Sequence, residues 1–332
     1  MAGILLHSAV EQGELRTEFW ELVTVARQLA PSVPGGLRVV LAGSQLGDAV
    51  ETARRAGAAE VHAIDHAQLA DPWPEGHAAA LATLCEKLDP EVVLVARTSL
   101  GAEVAARLAI RRGASLLHDV TQVQRGPEGF QASRPVFGGA VAATVRARRG
   151  PWVIVPKPHA FAAAAPGGDA ASPVVAQAFA PSTPLRTACG PRTRQESSGA
   201  KDIEKARVLV SGGAGLGGPE PFRLLAEVAD ILGGAVAASR VAVDAGWVPT
   251  SLQVGLTGKS VAPDLYLAVG ISGATHHLAG CSSAQVIAVV NSDPAAPFFR
   301  LANYGVVGDW KDVIPAFRDA LKEKLPAKSH AA

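Results

Sequence analysis

Two short stretches carry residue types that could bind a phosphate or a metal. VSGGAGLGG, residues 210–218, contains Gly213-x-Gly215-x-x-Gly218 between an apolar run and an amphipathic one. In that strand–turn–helix context, glycines let a backbone approach the phosphates of a dinucleotide. A tight turn with nothing bound is the other reading. The next apolar run, AVAAS, leads into Arg240, where a NAD site wants Asp or Glu for the ribose hydroxyls. An arginine could suit a 2′-phosphate or serve another ligand. VGLTGKSVAPDLYLAVGISGATHHLAG, residues 254–280, adds a Gly-Lys-Ser triplet and two adjacent histidines. A Walker loop needs a glycine at position 253, where this chain has Gln253, and Pro263 falls where the helix should run. Contact with some ligand through Thr257 and backbone N–H groups stays open. His276 and His277 are neighbours whose side chains diverge on a helix, and no Cys, Asp or Glu lies at ligand spacing, so no metal is expected. There is no GxSxG elbow or catalytic carboxylate pair, so no catalytic residue is assigned.

The elements that must position these residues read as alternating strands and helices. GILLHS, LRVVLA, AEVHAID and EVVLVA are near-continuous apolar runs separated by amphipathic stretches, which argues for a parallel sheet covered on both faces. LLHDVTQVQ, FQASRP, AVAATVRA and PWVIVP read as further strands of the first domain, with VVAQAF as a last one. Residues 186–205 are poor in large apolar side chains and read as a linker between domains 1–185 and 206–332. RVLVS, AVAAS, LYLAVG, QVIAVV and YGVVGD are the strands expected after it, and WKDVIPAFRDALKEKL a closing helix that Pro315 should kink or interrupt. The fold expected is α/β, with two domains that each have a mostly parallel sheet flanked by helices, the C-terminal one Rossmann-like. In such sheets ligands lie outside the carboxyl ends of the strands. Polar residues stand at four of those ends: Ser239 with Arg240, Ser272, Asn291 and Asp309. One histidine of the pair should face the same crevice, unless packing alone satisfies it. Ser239, Asn291 and Asp293 could each be only a helix cap.

Bulk properties exclude several classes. The chain has 332 residues, net charge +1, 48% hydrophobic and 18% charged residues, and no run of like charge, so there is no electrostatic case for nucleic acid. Cys85, Cys189 and Cys281 are scattered and form no framework. No secretory pattern opens the sequence and no apolar run reaches the roughly 18 residues of a membrane span. A cytoplasmic protein without membrane insertion is expected, and the alanine-rich composition suggests a bacterial one.

VSGGAGLGG, ASRVAVDAGWVP, QVGLTGKSVAPDLYLAVGISGATHHLAG, AVVNSDPAAP and YGVVGDW, in this order and spacing, closely resemble the flavin-binding domain of the electron transfer flavoprotein alpha subunit. TSLGAEVAARLA, SRPVFGGAVAATV and KPHAF extend the resemblance more loosely into the first domain. The resemblance implies FAD in residues 206–332 and a heterodimer with a beta subunit, which the first domain packs against. It implies flavin dehydrogenases as electron donors and an acceptor such as a quinone oxidoreductase, with no substrate turnover of its own. By position it places Arg240, next to Ser239, over the isoalloxazine and the Thr257 hydroxyl near N5. His277 falls at the N1/O2 edge beside His276. Ser272, Gly273, Ala274 and Thr275 wrap the flavin with backbone amides, and Gln253, Val254, Gly255 and Leu256 line the same pocket. Asn291, Asp309 and Trp310 hold the pyrophosphate-to-adenosine part. A guanidinium and an imidazole donor would stabilise the negative charge that reduction brings to N1/O2. Two positions depart from the family pattern: Ala214 stands where arginine is usual and Leu256 where glutamine is usual. An NAD(P)-dependent oxidoreductase and a non-redox adenine-nucleotide module are the competing readings.

Overall fold

The computed structural model describes residues 3–10, 13–139, 141–167, 172–182, 184–190 and 202–325. Contacts divide the chain into two units, 1–136 with 142–193, and 137–141 with 194–332. Of the stretch expected as a linker, residues 191–201 lie outside the described residues.

The first unit runs β1 (Ile4–Ala9), α1 (Glu18–Leu29), β2 (Leu37–Gly43), α2 (Gly47–Ala53), β3 (Glu60–Asp65), α3 (Pro74–Leu88), β4 (Val92–Val95) and α4 (Ser99–Arg112). It continues through β5 (Ser115–Val120), β6 (Gln122–Gly126), β7 (Gly129–Val136), β8 (Val141–Ala147), β9 (Trp152–Pro156) and β10 (Val174–Ala176). Seven strands form one sheet in the order β10-β3-β2-β1-β4-β9-β5, parallel at every pairing. Core side chains cover both its faces, which is why its inner strands are mostly apolar. The run LLHDVTQVQ is two strands rather than one. Asp119 takes a left-handed φ of 57°, and the register with β9 shifts between His118 and Val120. Aspartate tolerates that conformation better than most residues. The bulge ends β5, and β6 leaves to form a second sheet in the order β6-β7-β8.

The second unit runs β11 (Val208–Gly212), α5 (Pro221–Ile231), β12 (Ala235–Ala238), α6 (Arg240–Asp244), β13 (Leu265–Val269), α7 (Thr275–Cys281), β14 (Val286–Asn291), β15 (Tyr304–Val307) and α8 (Trp310–Lys324). Its five strands are ordered β12-β11-β13-β14-β15, again all parallel. This is the 2-1-3-4-5 doubly wound order, whose switch point lies between the first and third strands, here β11 and β13. Leu225 and Val228 of α5, Ala242 of α6 and Ile314 of α8 pack one face. Leu252, Val254, Val261, Cys281 and Phe298 cover the other, with Ile203 buried among them. Pro315 does not end α8, which Asp309 caps by accepting from Lys311 N–H at 2.9 Å. The missing proline N–H frees only the carbonyl of Lys311, an exposed residue that water can reach. Among the described residues no helix is long and apolar enough to cross a membrane.

Candidate functional site

Parallel strands bring every carboxyl end of the second unit's sheet to one edge, and the loops there are bonded to one another. The glycine-rich loop after β11 is occupied by the protein itself. Gly213 N–H donates to Val269 O at 3.0 Å and Gly215 N–H to Gly270 O at 2.9 Å. Leu216 and Gly217 N–H donate within the loop, to Gly213 O and Ala214 O. A Cβ on Gly215 would stand 2.9 Å from the Gly270 Cα, and one on Gly213 would collide with Gly270 O. These glycines therefore let two loops meet at the switch point, and four of the loop's amides are already committed. The fingerprint that suggested a nicotinamide dinucleotide is a packing device here. Trp310 of α8 closes over it, its indole N–H donating to Gly215 O at 3.0 Å.

The Gly-Lys-Ser turn has a similar explanation. Lys259 pairs with Asp202 at 3.2 Å and Glu204 at 3.5 Å, so its ammonium ties the start of the unit to the turn. Leu252 and Val254 anchor this loop in the core, and Val254 N–H reaches Ala238 O at the end of β12, 3.0 Å away. Gly255, at φ 143°, and Gly258 shape a tight turn in which Gly258 N–H donates to Gly255 O at 3.0 Å. Leu256 N–H donates to His276 O at 2.7 Å, joining the turn to the start of α7. Leu256 itself is 61% exposed, and Thr257 is exposed beside it.

In the loop after β13 the backbone donors from Ser272 onward are uncommitted. The five consecutive N–H groups of Ser272, Gly273, Ala274, Thr275 and His276 donate to no described protein acceptor. Ser239 Oγ is buried at the start of α6 with no partner among the described residues. The Arg240 guanidinium is exposed, and its partner is Asp244 of the same helix at 3.1 Å. A cluster of vacant donors and one cation at a sheet's carboxyl edge suits an electron-rich ring and a pyrophosphate.

The histidines separate as their spacing suggests. His276 is exposed. His277 is buried, its Nε2 2.9 Å from the Tyr266 hydroxyl. Its Nδ1 has no partner at bonding geometry, although the Val254 backbone lies near the ring. Burial pushes the imidazole down to about 4, the Val254 backbone opposing, so the ring is neutral near pH 7. Burial also raises the Tyr266 phenol well above its ordinary value. Tyr266 was missed in the sequence because LYLAVG read only as a buried strand; a tyrosine there needs a partner for its hydroxyl. Asn291 is turned to its own loops: its amide donates to Ile271 O at 3.0 Å, and its Oδ1 accepts from Asp293 N–H at 3.0 Å. Ser239, Arg240, the 253–257 turn and residues 272–277 are thus joined through Ala238, Val254 and His276. Asn291, Asp309 and Trp310 brace the neighbouring loops. Among the described residues no group of three metal-ligating side chains forms.

Residues 202–282 match the electron transfer flavoprotein FAD-binding domain, and residues 5–182 the electron transfer flavoprotein domain. The chain is 35% identical to an electron transfer flavoprotein subunit alpha of Thermoanaerobacterium thermosaccharolyticum, over 96% of this chain and 98% of that protein. It is 38% identical to the subunit of that name in Mycobacterium tuberculosis, over 98% and 99%. It is 32% identical to the protein FixB of Clostridium saccharobutylicum, over 98% of both.

Proposed function

The chain belongs to the electron transfer flavoprotein alpha-subunit family, and from that premise we propose that its second unit holds FAD along the carboxyl edge of β11–β15. The observation that carries this reading is the run of five amides from Ser272 to His276 that have no acceptor among the described residues and lie at the same sheet edge as the exposed Arg240. FAD, when bound, supplies the redox chemistry, and the protein tunes and places it. Arg240 lies against the isoalloxazine, because a guanidinium is planar and keeps its charge at working pH. The amides of residues 272–276 donate to the flavin's electron-rich edge, Thr257 offers its hydroxyl to N5, and Ser239 meets the cofactor with its orphaned hydroxyl. His277 is held by Tyr266 as a neutral ring at the floor of the site, where it contributes a fixed dipole and no titrating charge near pH 7. Gln253, Val254, Gly255 and Leu256 form the facing wall. Asn291, Asp309 and Trp310 hold the loops that meet the pyrophosphate and adenosine.

The unit carries out no turnover of its own: it takes electrons from flavin dehydrogenases and passes them to an acceptor such as a quinone oxidoreductase. It does so as one half of a heterodimer with a beta subunit, in the cytoplasm. Residues 1–185 serve the subunit contact, and 186–205 link them to the FAD domain, 206–332. Co-purified heterodimer is expected to show an oxidised-flavin absorption spectrum with one FAD per alpha chain in its C-terminal domain. A colourless heterodimer that takes up no flavin after incubation with FAD would reject the reading.

A further inference from the structure

We propose that Gln253 is a positioning residue that makes the Thr257 hydroxyl a one-way hydrogen-bond donor toward the bound flavin. The proposal rests on the reading that this unit holds FAD with Thr257 at the ring. Gln253 is 5% exposed, unusual for a residue with a long polar side chain at the mouth of a ligand loop. Its backbone is held on both sides. The N–H donates to Thr250 O at 3.0 Å, and the carbonyl accepts from Lys259 N–H at 2.8 Å. Gly258 packs so closely over that carbonyl that a Cβ there would collide with it. The carboxamide therefore projects from a fixed point, and its Nε2 donates to Thr257 Oγ1 at 3.0 Å.

A hydroxyl has one proton and two lone pairs. Once Gln253 fills one lone pair, Thr257 keeps its proton and one further lone pair, and the proton, directed away from Gln253, is what it can offer to an unprotonated ring nitrogen. Thr257 is exposed and follows Leu256, whose N–H is bonded to His276 O, so it stands beside the vacant amides of residues 272–276. Within the turn from Gly255 to Gly258, Thr257 is the one polar side chain, because position 256 is leucine. The direction of that hydroxyl thus decides whether the turn presents a donor or an acceptor to the ring. A donor suits an unprotonated ring nitrogen and disfavours its protonation.

The test compares FAD with 5-deaza-FAD, in which N5 is replaced by C–H and cannot accept a hydrogen bond, on the alpha–beta heterodimer at pH 8. Wild type is expected to bind FAD about 10-fold more tightly than the deaza analogue, the size of one hydrogen bond. Thr257→Val keeps the β-branched shape, sets the reference, and should remove the preference. Gln253→Met, similar in length but with no N–H donor, is expected to reduce the preference to about 2- to 3-fold. Gln253→Glu, whose carboxylate accepts the Thr257 proton, should leave none. The carboxylate arm also separates the two orientations of the carboxamide, which differ only by exchange of N and O. If Gln253→Glu keeps the wild-type preference while Thr257→Val loses it, the proposal is overturned, and that arm decides even if the methionine variant does not assemble. A wild-type heterodimer that binds both flavins equally also overturns it but leaves the FAD reading intact. Failure to bind either flavin removes the FAD reading itself.

Discussion

Arg240→Ala is expected to lower the first one-electron potential of the bound FAD by about 40 mV, roughly a fivefold change in equilibrium. The guanidinium stands at the first position of α6, at the carboxyl end of β12, and its partner is Asp244 one turn on. A unit charge about 5 Å from the ring, at an effective dielectric of about 20, contributes about 3 kcal/mol. The Arg240 side chain is 64% exposed, so solvent screening reduces this to about 1 kcal/mol. The oxidised ring is neutral and gains little from the cation, whereas the ring that has accepted an electron gains most of it. The separation between the first and second potentials should therefore narrow in the alanine variant. Arg240→Lys keeps the charge but not the planar stack, and should recover part of the loss. A spectroelectrochemical titration gives both potentials. Unchanged values in Arg240→Ala would place the guanidinium away from the ring.

The second large effect is expected from a substitution that ordinarily helps a helix. Alanine is favoured over glycine in a helix interior by about 1 kcal/mol, yet Gly280→Ala in α7 should destabilise the second unit by about 1–3 kcal/mol and release FAD. A Cβ at position 280 would collide with Gly255 N and stand 2.6 Å from Gly255 Cα and 3.0 Å from Lys259 O. Those neighbours are backbone, held by Val254 N–H on Ala238 O and by Val261 N–H on Gly280 O at 2.7 Å. They cannot rotate aside as a long side chain would. To admit the methyl, the 253–259 turn must move off α7, breaking the Leu256 N–H bond to His276 O and carrying Thr257 away. Urea unfolding followed by circular dichroism gives the stability, and flavin retained after gel filtration gives the affinity. A variant as stable as wild type with FAD retained would show that the turn is not clamped as described.

The inner strands of the second unit were legible because they are largely buried on both faces, so apolar runs such as LYLAVG and QVIAVV stand out from their surroundings, whereas the edge strand β15 is exposed. The strand ends were legible for the same reason, since Arg240, Ser272 and Asn291 interrupt those runs. What remained hidden depends on partners distant in sequence. The glycine loop fits a phosphate cradle until Val269 O and Gly270 O are seen to take its amides. The Gly-Lys-Ser triplet is set aside as a Walker ending by Gln253, but that Lys259 pairs with Asp202 and Glu204 depends on residues far from it in sequence. The split of LLHDVTQVQ turns on the left-handed backbone of Asp119, a conformation no local pattern requires. Gln253 was marked only as a non-glycine in a Walker frame and as pocket lining; its bond to Thr257 depends on how the turn closes.

The measurement that tests the central claim most directly is amide hydrogen exchange on the heterodimer with and without FAD. The N–H groups of Ser272 to His276 have no acceptor among the described residues, so FAD should slow their exchange, together with that of the Thr257 turn. Residues 213–217 should change little, because four of their five amides are already bonded within the protein. Protection falling on 213–217, or on the first unit, with 272–276 unaffected would contradict the account.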